Sequence, residues 1–185
     1  MNPYRLLDAE SESLSLTDIK NHLRISGTDD DDSLREDIAA VSRYTETYLS
    51  KTLVKTTWVY KLDSFPDEIN LQMGPVLSIS SVEYVDTDGN TQTFSDIQYD
   101  DRNGRLKPSY NSSWPDTRDQ YNAVTITYIA GATHAGNVAD DIKSAMKMLV
   151  GDKQNNKEDS LIGVSNSPLV NSAHNILNMY RNWQV

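Results

Sequence analysis

Between Leu16 and Leu49, apolar residues are spaced three and four apart. This pattern predicts two amphipathic helices. Ser15 is placed to cap the first helix, and Asp18 lies three residues further on as the acidic partner of a capping box. Leu14 can pack on Ile19 across the same boundary, as a hydrophobic staple does. Three local signals therefore predict one helix start.

The second predicted helix opens in a run of four acidic residues, Asp29, Asp30, Asp31 and Asp32. Negative charge is stabilising at this position because it meets the positive end of the helix dipole. The apolar stripe of the helix is formed by Leu34, Ile38, Val41 and Tyr48. Two short amphipathic helices cannot bury such stripes alone. We expect them to be covered by other parts of the chain or by another subunit.

After these helices the period of apolar residues changes to two, which predicts strands. The alternating segments are Val54 to Leu62, Ile69 to Leu71, Ile79 to Val85, Thr91 to Phe94, Ile97 to Tyr99 and Ala123 to Ile129. Turn residues such as Asp88-Gly89 separate them and favour hairpins, hence antiparallel pairing. We interpret the polar segment from Pro108 to Tyr121 as an exposed loop.

Helical spacing returns towards the C-terminus. A third helix is predicted with Asn137 as its cap, and Gly151 is expected to end or weaken it. Ser167-Pro168 is typical of the start of another helix. The stripe of this last helix is Leu169, Ala173, Ile176, Leu177 and Tyr180.

The order of these elements predicts an α+β fold. Helices from both ends of the chain, residues 1–50 and 133–185, form a helical bundle, and residues 51–132 form an inserted antiparallel β-domain, either a sandwich or barrel-like.

Composition narrows the function classes. The chain has no cysteine and a formal net charge of −10, with 27 acidic and 17 basic residues. Thiolate metal sites and cysteine nucleophiles are therefore excluded, and the charge disfavours tight binding to DNA. The sequence shows neither the apolar run of a signal peptide nor a membrane-spanning stretch, so we expect a soluble intracellular protein that does not contact membranes.

The search for catalytic chemistry predicts no catalytic residue, no metal site and no cofactor. The three histidines, His22, His134 and His174, lack metal-ligand spacing. The acidic run Asp29 to Asp32 could bind a divalent cation weakly, but a solvated helix start explains it better. One further hypothesis is a small hydrolase that uses Asp100, Asp101 and Asp119 near the loops of the sheet.

The C-terminal helix is the candidate for partner docking. Leu169, Ile176, Leu177, Tyr180 and Trp183 give it an apolar face beyond a polar linker. Such a helix either folds back on its own bundle or docks on a neighbouring subunit or another protein.

The order of several segments resembles the head-tail connector (adaptor) proteins of tailed bacteriophages. The segments are LTDIKNHLRI, SLREDIAAVSRYTETYL, TTWVYKLDSFP, GPVLSISSVEYVDTDGN, GRLKPSYNSSWP and VTITYIAGA, within residues 14–150. The chain departs from the family at Ser50-Lys51-Thr52, which stands in place of the usual glycine.

The resemblance implies a structural protein of the virion, assembled in the host cytoplasm and located at the head-tail interface. It implies a ring, typically of twelve subunits, beneath the portal protein, which extends the DNA channel and docks the next neck or tail protein. DNA would pass without tight binding, with Asp29 to Asp32 either lining the channel or only starting a helix. The portal-docking role of the family's C-terminal region falls on Leu169 to Trp183. The alternative is a tail-completion or other neck protein that acts on the tail side.

Overall fold

The computed structural model describes residues 3–6, 12–100, 103–155 and 168–181. The fold is α+β, as predicted. The chain divides into two compact units, a β unit of Met1–Glu10 with Val54–Ala132 and a helical unit of Ser11–Leu53 with Thr133–Val185. No helix of the described segments combines the length and apolar character that crossing a bilayer requires.

The first helix, α1, spans Leu16–Leu23, and its start is built as the capping signals predict. The Ser15 hydroxyl accepts a hydrogen bond from the Asp18 backbone N–H at 3.1 Å and donates one to the Asp18 carboxylate at 2.7 Å. Leu14 and Ile19 are both buried beside this cap. The helix ends at Arg24, which adopts a left-handed conformation.

The second helix, α2, spans Asp31–Leu49 and buries the predicted positions Leu34, Ile38 and Val41. It ends at Ser50, whose φ of +52° lies in the left-handed region that favours glycine. The Ser50 N–H donates to the Thr47 carbonyl and the Lys51 N–H to the Glu46 carbonyl. These hydrogen bonds satisfy terminal carbonyl groups although no glycine is present.

Two further helices complete the helical unit, α3 at Asp140–Asn155 and α4 at Pro168–Asn178. The prediction of Asn137 as the cap of α3 is wrong, because Asn137 ends a separate 3-10 turn, Ala135–Asn137, and its side chain bonds Thr133. Gly151 does not end α3, which continues for four more residues. A Cβ atom added at Gly151 would lie 3.2 Å from Leu23 Cδ2, so the glycine allows α1 to approach α3 closely.

The β unit contains eight strands in its described part. They are β1 (Tyr4–Arg5), β2 (Thr56–Leu62), β3 (Ile69–Asn70), β4 (Val76–Val85), β5 (Thr91–Thr93), β6 (Ile97–Asp100), β7 (Arg105–Pro108) and β8 (Val124–Ala130). They form an open five-stranded sheet, β1-β2-β8-β4-β5, and an open three-stranded sheet, β3-β7-β6. Both sheets are antiparallel and neither closes, so the fold is sandwich-like and the barrel alternative is not adopted.

The register of the larger sheet follows the alternation read from the sequence. Trp58 of β2 lies opposite Tyr128 of β8, and Val82 of β4 lies opposite Ile126. Inward residues of both sheets share one core, to which Ile69 and Leu106 contribute from the smaller sheet. Two strands, β1 and β7, were not predicted.

Candidate interaction surfaces

Helix α4 packs on α2 and α3 of its own unit. Its residues Ala173 and Leu177, which are four positions apart and therefore share a face, are fully buried. Of the two alternatives that the sequence left open for this helix, the structure adopts the one in which α4 folds back.

A set of polar contacts, here called the α4 latch, holds this helix in place. Tyr44 Oη and His174 Nε2 lie 2.6 Å apart, and one turn further on Tyr48 Oη donates to Asn178 Oδ1 at 2.7 Å. Two residues beyond the end of α4, Tyr180 Oη donates to Asp141 Oδ2 of α3 at 2.7 Å. The latch joins α4 to both neighbouring helices with side chains that remain partly accessible to solvent.

The environment of the latch changes the acidity of its tyrosines. Burial raises the pKa of Tyr44, and the neighbouring Tyr48 adds to the effect. The hydrogen bond to the Asp141 carboxylate raises the pKa of Tyr180, because ionisation would remove the donated proton and place two negative charges together. Both phenols therefore stay neutral, and able to donate, above the pH at which a free tyrosine ionises.

The predicted docking residues are not equally accessible. Leu177 is fully buried inside the helical unit, whereas Ile176 and Tyr180 are half-buried. The Leu169 side chain and Trp183 lie outside the described residues. Met179, which the amphipathic pattern did not select, is 70% exposed. The docking role of this helix stays a prediction, and its accessible apolar surface lies near residues 176, 179 and 180.

The acidic run at the start of α2 is an exposed helix start whose charges are partly paired. Lys20 Nζ lies 2.5 Å from Asp31 Oδ1, and Arg35 lies 3.3 Å from Asp32. Asp29 and Asp30 are exposed, and Asp30 forms no side-chain capping bond. Throughout the described segments, no three acidic or histidine side chains are arranged to hold a metal ion.

The residues of the hydrolase hypothesis do not form a catalytic arrangement in the described structure. Asp100 lines a depression of about 340 Å³ on the smaller sheet, with Glu68, Gln98, Tyr99, Arg105 and Lys107. Arg105 is paired with Glu68 at 3.4 Å across this depression. Asp119 lies exposed in the segment 109–122, and Asp101 lies outside the described residues.

A surface that the sequence analysis missed lies in the segment 109–122, between β7 and β8. Tyr110 and Tyr121 are 91% and 84% exposed. Each precedes an asparagine, Asn111 or Asn122, in the left-handed conformation. The repeated Tyr-Asn pair was an available signal, since asparagine tolerates this conformation and marks turns.

Comparisons with known proteins agree with this architecture. A family model described as head completion protein matches residues 12–183. No curated protein matches the chain.

Chains in solved structures of gene transfer agent (GTA) particles are similar to this chain over its whole length. They include the neck of an empty particle with C6 symmetry, at 17% identity and a TM-score of 0.82. The virion of a native particle matches at 18% identity and a TM-score of 0.79, and the neck of a native particle with C12 symmetry at 19% and 0.74. Each match covers 100% of this chain and 97% of the other.

At these identities the solved structures establish a shared fold, and the family model establishes membership. The resemblance to head-tail connectors that was read from the sequence is thereby confirmed. The chain belongs to the head completion protein family and is a structural component of a bacteriophage particle.

Proposed function

We propose that this protein is a subunit of a ring, of twelve copies, that lies beneath the portal at the head-tail interface of the virion. The ring extends the DNA channel and provides the surface on which the next neck or tail protein docks. The protein acts as a structural element and catalyses no reaction.

The observation that carries this proposal is the similarity to neck proteins over the full chain. Both units match, since each comparison covers 100% of this chain. The C12 symmetry of one similar neck supports twelve subunits, and the C6 symmetry of the other is compatible with the same ring because C6 is contained in C12.

The charge of the chain supports a channel through which DNA slides. DNA carries one negative charge per about 1.7 Å of its axis and binds cationic surfaces by releasing counterions. A net charge of −10 provides the opposite condition. The exposed carboxylates of Asp29 and Asp30 are candidates for the channel lining.

The C-terminal region is the proposed contact with the portal. Helix α4 is held on its own unit by Leu177 and the latch, so it can present residues near Ile176 and Tyr180 without detaching. Trp183 follows closely in the chain. We therefore expect the portal to contact this end of the helical unit.

Assembly with the portal tests the ring. The purified chain is mixed with portal rings and followed by native mass spectrometry and electron microscopy, and twelve bound copies per portal are expected. A chain that never associates with the portal overturns the proposal. Recovery on isolated tails, with none on heads, favours the tail-side alternative instead.

Single substitutions test the portal contact. Trp183→Ala is expected to lower the number of subunits bound per portal at least tenfold, while the control Thr93→Ala, at an exposed position of β5 outside the C-terminal region, binds normally. Equal binding by both variants contradicts the role of the C-terminal region without affecting the ring proposal.

A further inference from the structure

One end of the β unit, here called the β-unit tip, is formed by residues 63–65, 86–90 and 109–122. These segments follow β2, follow β4 and precede β8, and those strands are neighbours in the larger sheet. The Asn122 N–H donates to the Asp63 carboxylate at 2.8 Å, and the Arg118 N–H donates to the Val85 carbonyl at 3.0 Å. The longest segment of the tip is therefore tied to the segment 63–65 and to the end of β4, directly before the segment 86–90.

The segment 109–122 contains no helix or strand and is largely exposed, as predicted, and it is also anchored by an aromatic stack. The rings of Trp114 and Phe65 are parallel within 4°, with centroids 4.4 Å apart, and Phe94 lies 5.2 Å from Trp114. The Ser109 N–H is bonded to the Asp96 carbonyl at 2.9 Å. This segment is anchored at both ends and in the middle.

On this anchored segment two tyrosines project into solvent. Tyr110 is 91% exposed and Tyr121 is 84% exposed, whereas tyrosine is usually partly covered in folded proteins. Tyrosine has few rotatable bonds, so an anchored tyrosine loses little conformational entropy when a partner covers it. Aromatic residues of this kind carry much of the binding energy at protein interfaces.

The charge of the tip selects the chemistry of the partner. The three segments of the tip contain five acidic residues and one basic residue, Arg118. The acidic residues are Asp63, Asp86, Asp88, Asp116 and Asp119. DNA and a second copy of the same acidic tip would both be repelled. Lysine and arginine side chains, by contrast, can pair with these carboxylates and lie over the faces of the tyrosine rings.

We infer that the β-unit tip is the docking surface for a different protein whose contacting surface is basic. The inference rests on the proposed role in the neck and specifies it further. The surface that continues the particle towards the tail is this acidic, tyrosine-bearing end of the β unit, and its partner contributes lysine and arginine side chains.

Site-specific photo-crosslinking in assembled particles tests the inference. Tyr110 and Tyr121 are each replaced by p-benzoylphenylalanine, and Leu77 serves as the control because it is 41% exposed near the opposite end of β4. At positions 110 and 121 we expect crosslinks to a lysine- and arginine-rich segment of another protein, and no such crosslink from position 77. Crosslinks only to DNA or to another copy of this chain, or none, overturn the inference.

A second measurement uses the number of complete particles. The variant Tyr110→Ser/Tyr121→Ser is expected to reduce tail joining at least tenfold while remaining bound to heads, and Leu77→Ser is expected to join tails normally. The variant Asp116→Lys/Asp119→Lys should show a similar loss. Heads that retain the tyrosine variant and join tails normally contradict the inference alone, whereas absence of the wild-type chain from heads contradicts the proposed function itself.

Discussion

At the scale of single residues, the Asp86 carboxylate organises the hairpin between β4 and β5. It accepts hydrogen bonds from the backbone of Asn90 at 2.8 Å and Asp88 at 3.1 Å, and from the Gln92 side chain at 3.0 Å. These donors, with Gln92 contributing most, lower the pKa of Asp86. A carboxylate with several local donors keeps its turn closed without being buried.

The lowered pKa of Asp86 predicts a pH dependence of the hairpin. Because the folded-state pKa lies below the unfolded value of about 3.9, the stabilisation is present above that value and is lost as pH falls through the folded-state pKa. An NMR titration of the side-chain carboxyl carbon should show the low midpoint. Gln92→Ala should raise it, and an unchanged midpoint in that variant contradicts this account.

At Gly151, the space available for a Cβ atom determines how a substitution affects stability. Alanine is favoured over glycine inside a helix by about 1 kcal/mol, but the added Cβ would lie 3.2 Å from Leu23 Cδ2. We expect Gly151→Ala to change the free energy of unfolding little in the native chain. In a Leu23→Ala background the same change should stabilise by about 1 kcal/mol, since the obstructing atom is gone. Chemical denaturation of the four proteins measures this coupling, and additive effects exclude it.

At the scale of elements, α4 depends on tertiary contacts. A helix of 11 residues is marginal alone, so its stability derives from packing on α2 and α3. Leu177→Ala removes a fully buried side chain and should cost about 2 to 5 kcal/mol. Hydrogen exchange should show the loss of protection concentrated in α4, whereas the exposed control Asn175→Ala leaves protection unchanged. If protection is lost evenly over the helical unit, the substitution does not act on α4 alone, and this interpretation is contradicted.

The α4 latch predicts that α4 becomes less stable at alkaline pH. The pKa values of Tyr44 and Tyr180 are raised in the folded state. Their contribution is therefore complete below the unfolded pKa of about 10 and is lost as pH rises through the folded values. Hydrogen exchange followed across this range should show α4 opening before α1. Tyr180→Phe should weaken the pH dependence, and an identical profile in that variant excludes Tyr180 as a cause.

At the scale of the whole molecule, the net negative charge predicts that the protein does not bind DNA tightly. With 27 acidic against 17 basic residues, the chain should not retard duplex DNA in a gel-shift experiment at physiological salt. The expectation holds for the free subunit and for the ring that we propose. A retarded band that disappears with added salt would reveal a cationic binding surface and contradict this interpretation.

The sequence anticipated most of the architecture because its strongest signals are local. The Ser15 cap appears as predicted, and α2 buries the predicted positions Leu34, Ile38 and Val41. The strand predicted from Val54 to Leu62 begins two residues later, at Thr56. Of the two failures, the first has a local cause and the second a tertiary one. The cap assigned to Asn137 competed with a 3-10 turn, and Gly151 was interpreted without knowledge of the neighbouring Leu23.

The candidate surfaces were predicted less completely, because burial depends on residues far apart in the chain. The apolar spacing of α4 gave Ile176 and Leu177 the same weight, but only packing on α2 and α3 decides that Leu177 is buried and Ile176 is half-exposed. Tyr110 and Tyr121 carried no periodic signal at all. Their exposure follows from contacts that anchor the segment 109–122 to Phe65 and Val85.

The sequence by itself determined the helices, most strands, the acidic charge and the family, since these depend on short-range spacing, composition and the order of segments. The tertiary structure alone decided which apolar side chains are enclosed and which remain available to a partner. The physical reason is that a side chain is removed from water by neighbours distant in sequence, and their positions are set only when the whole chain has folded.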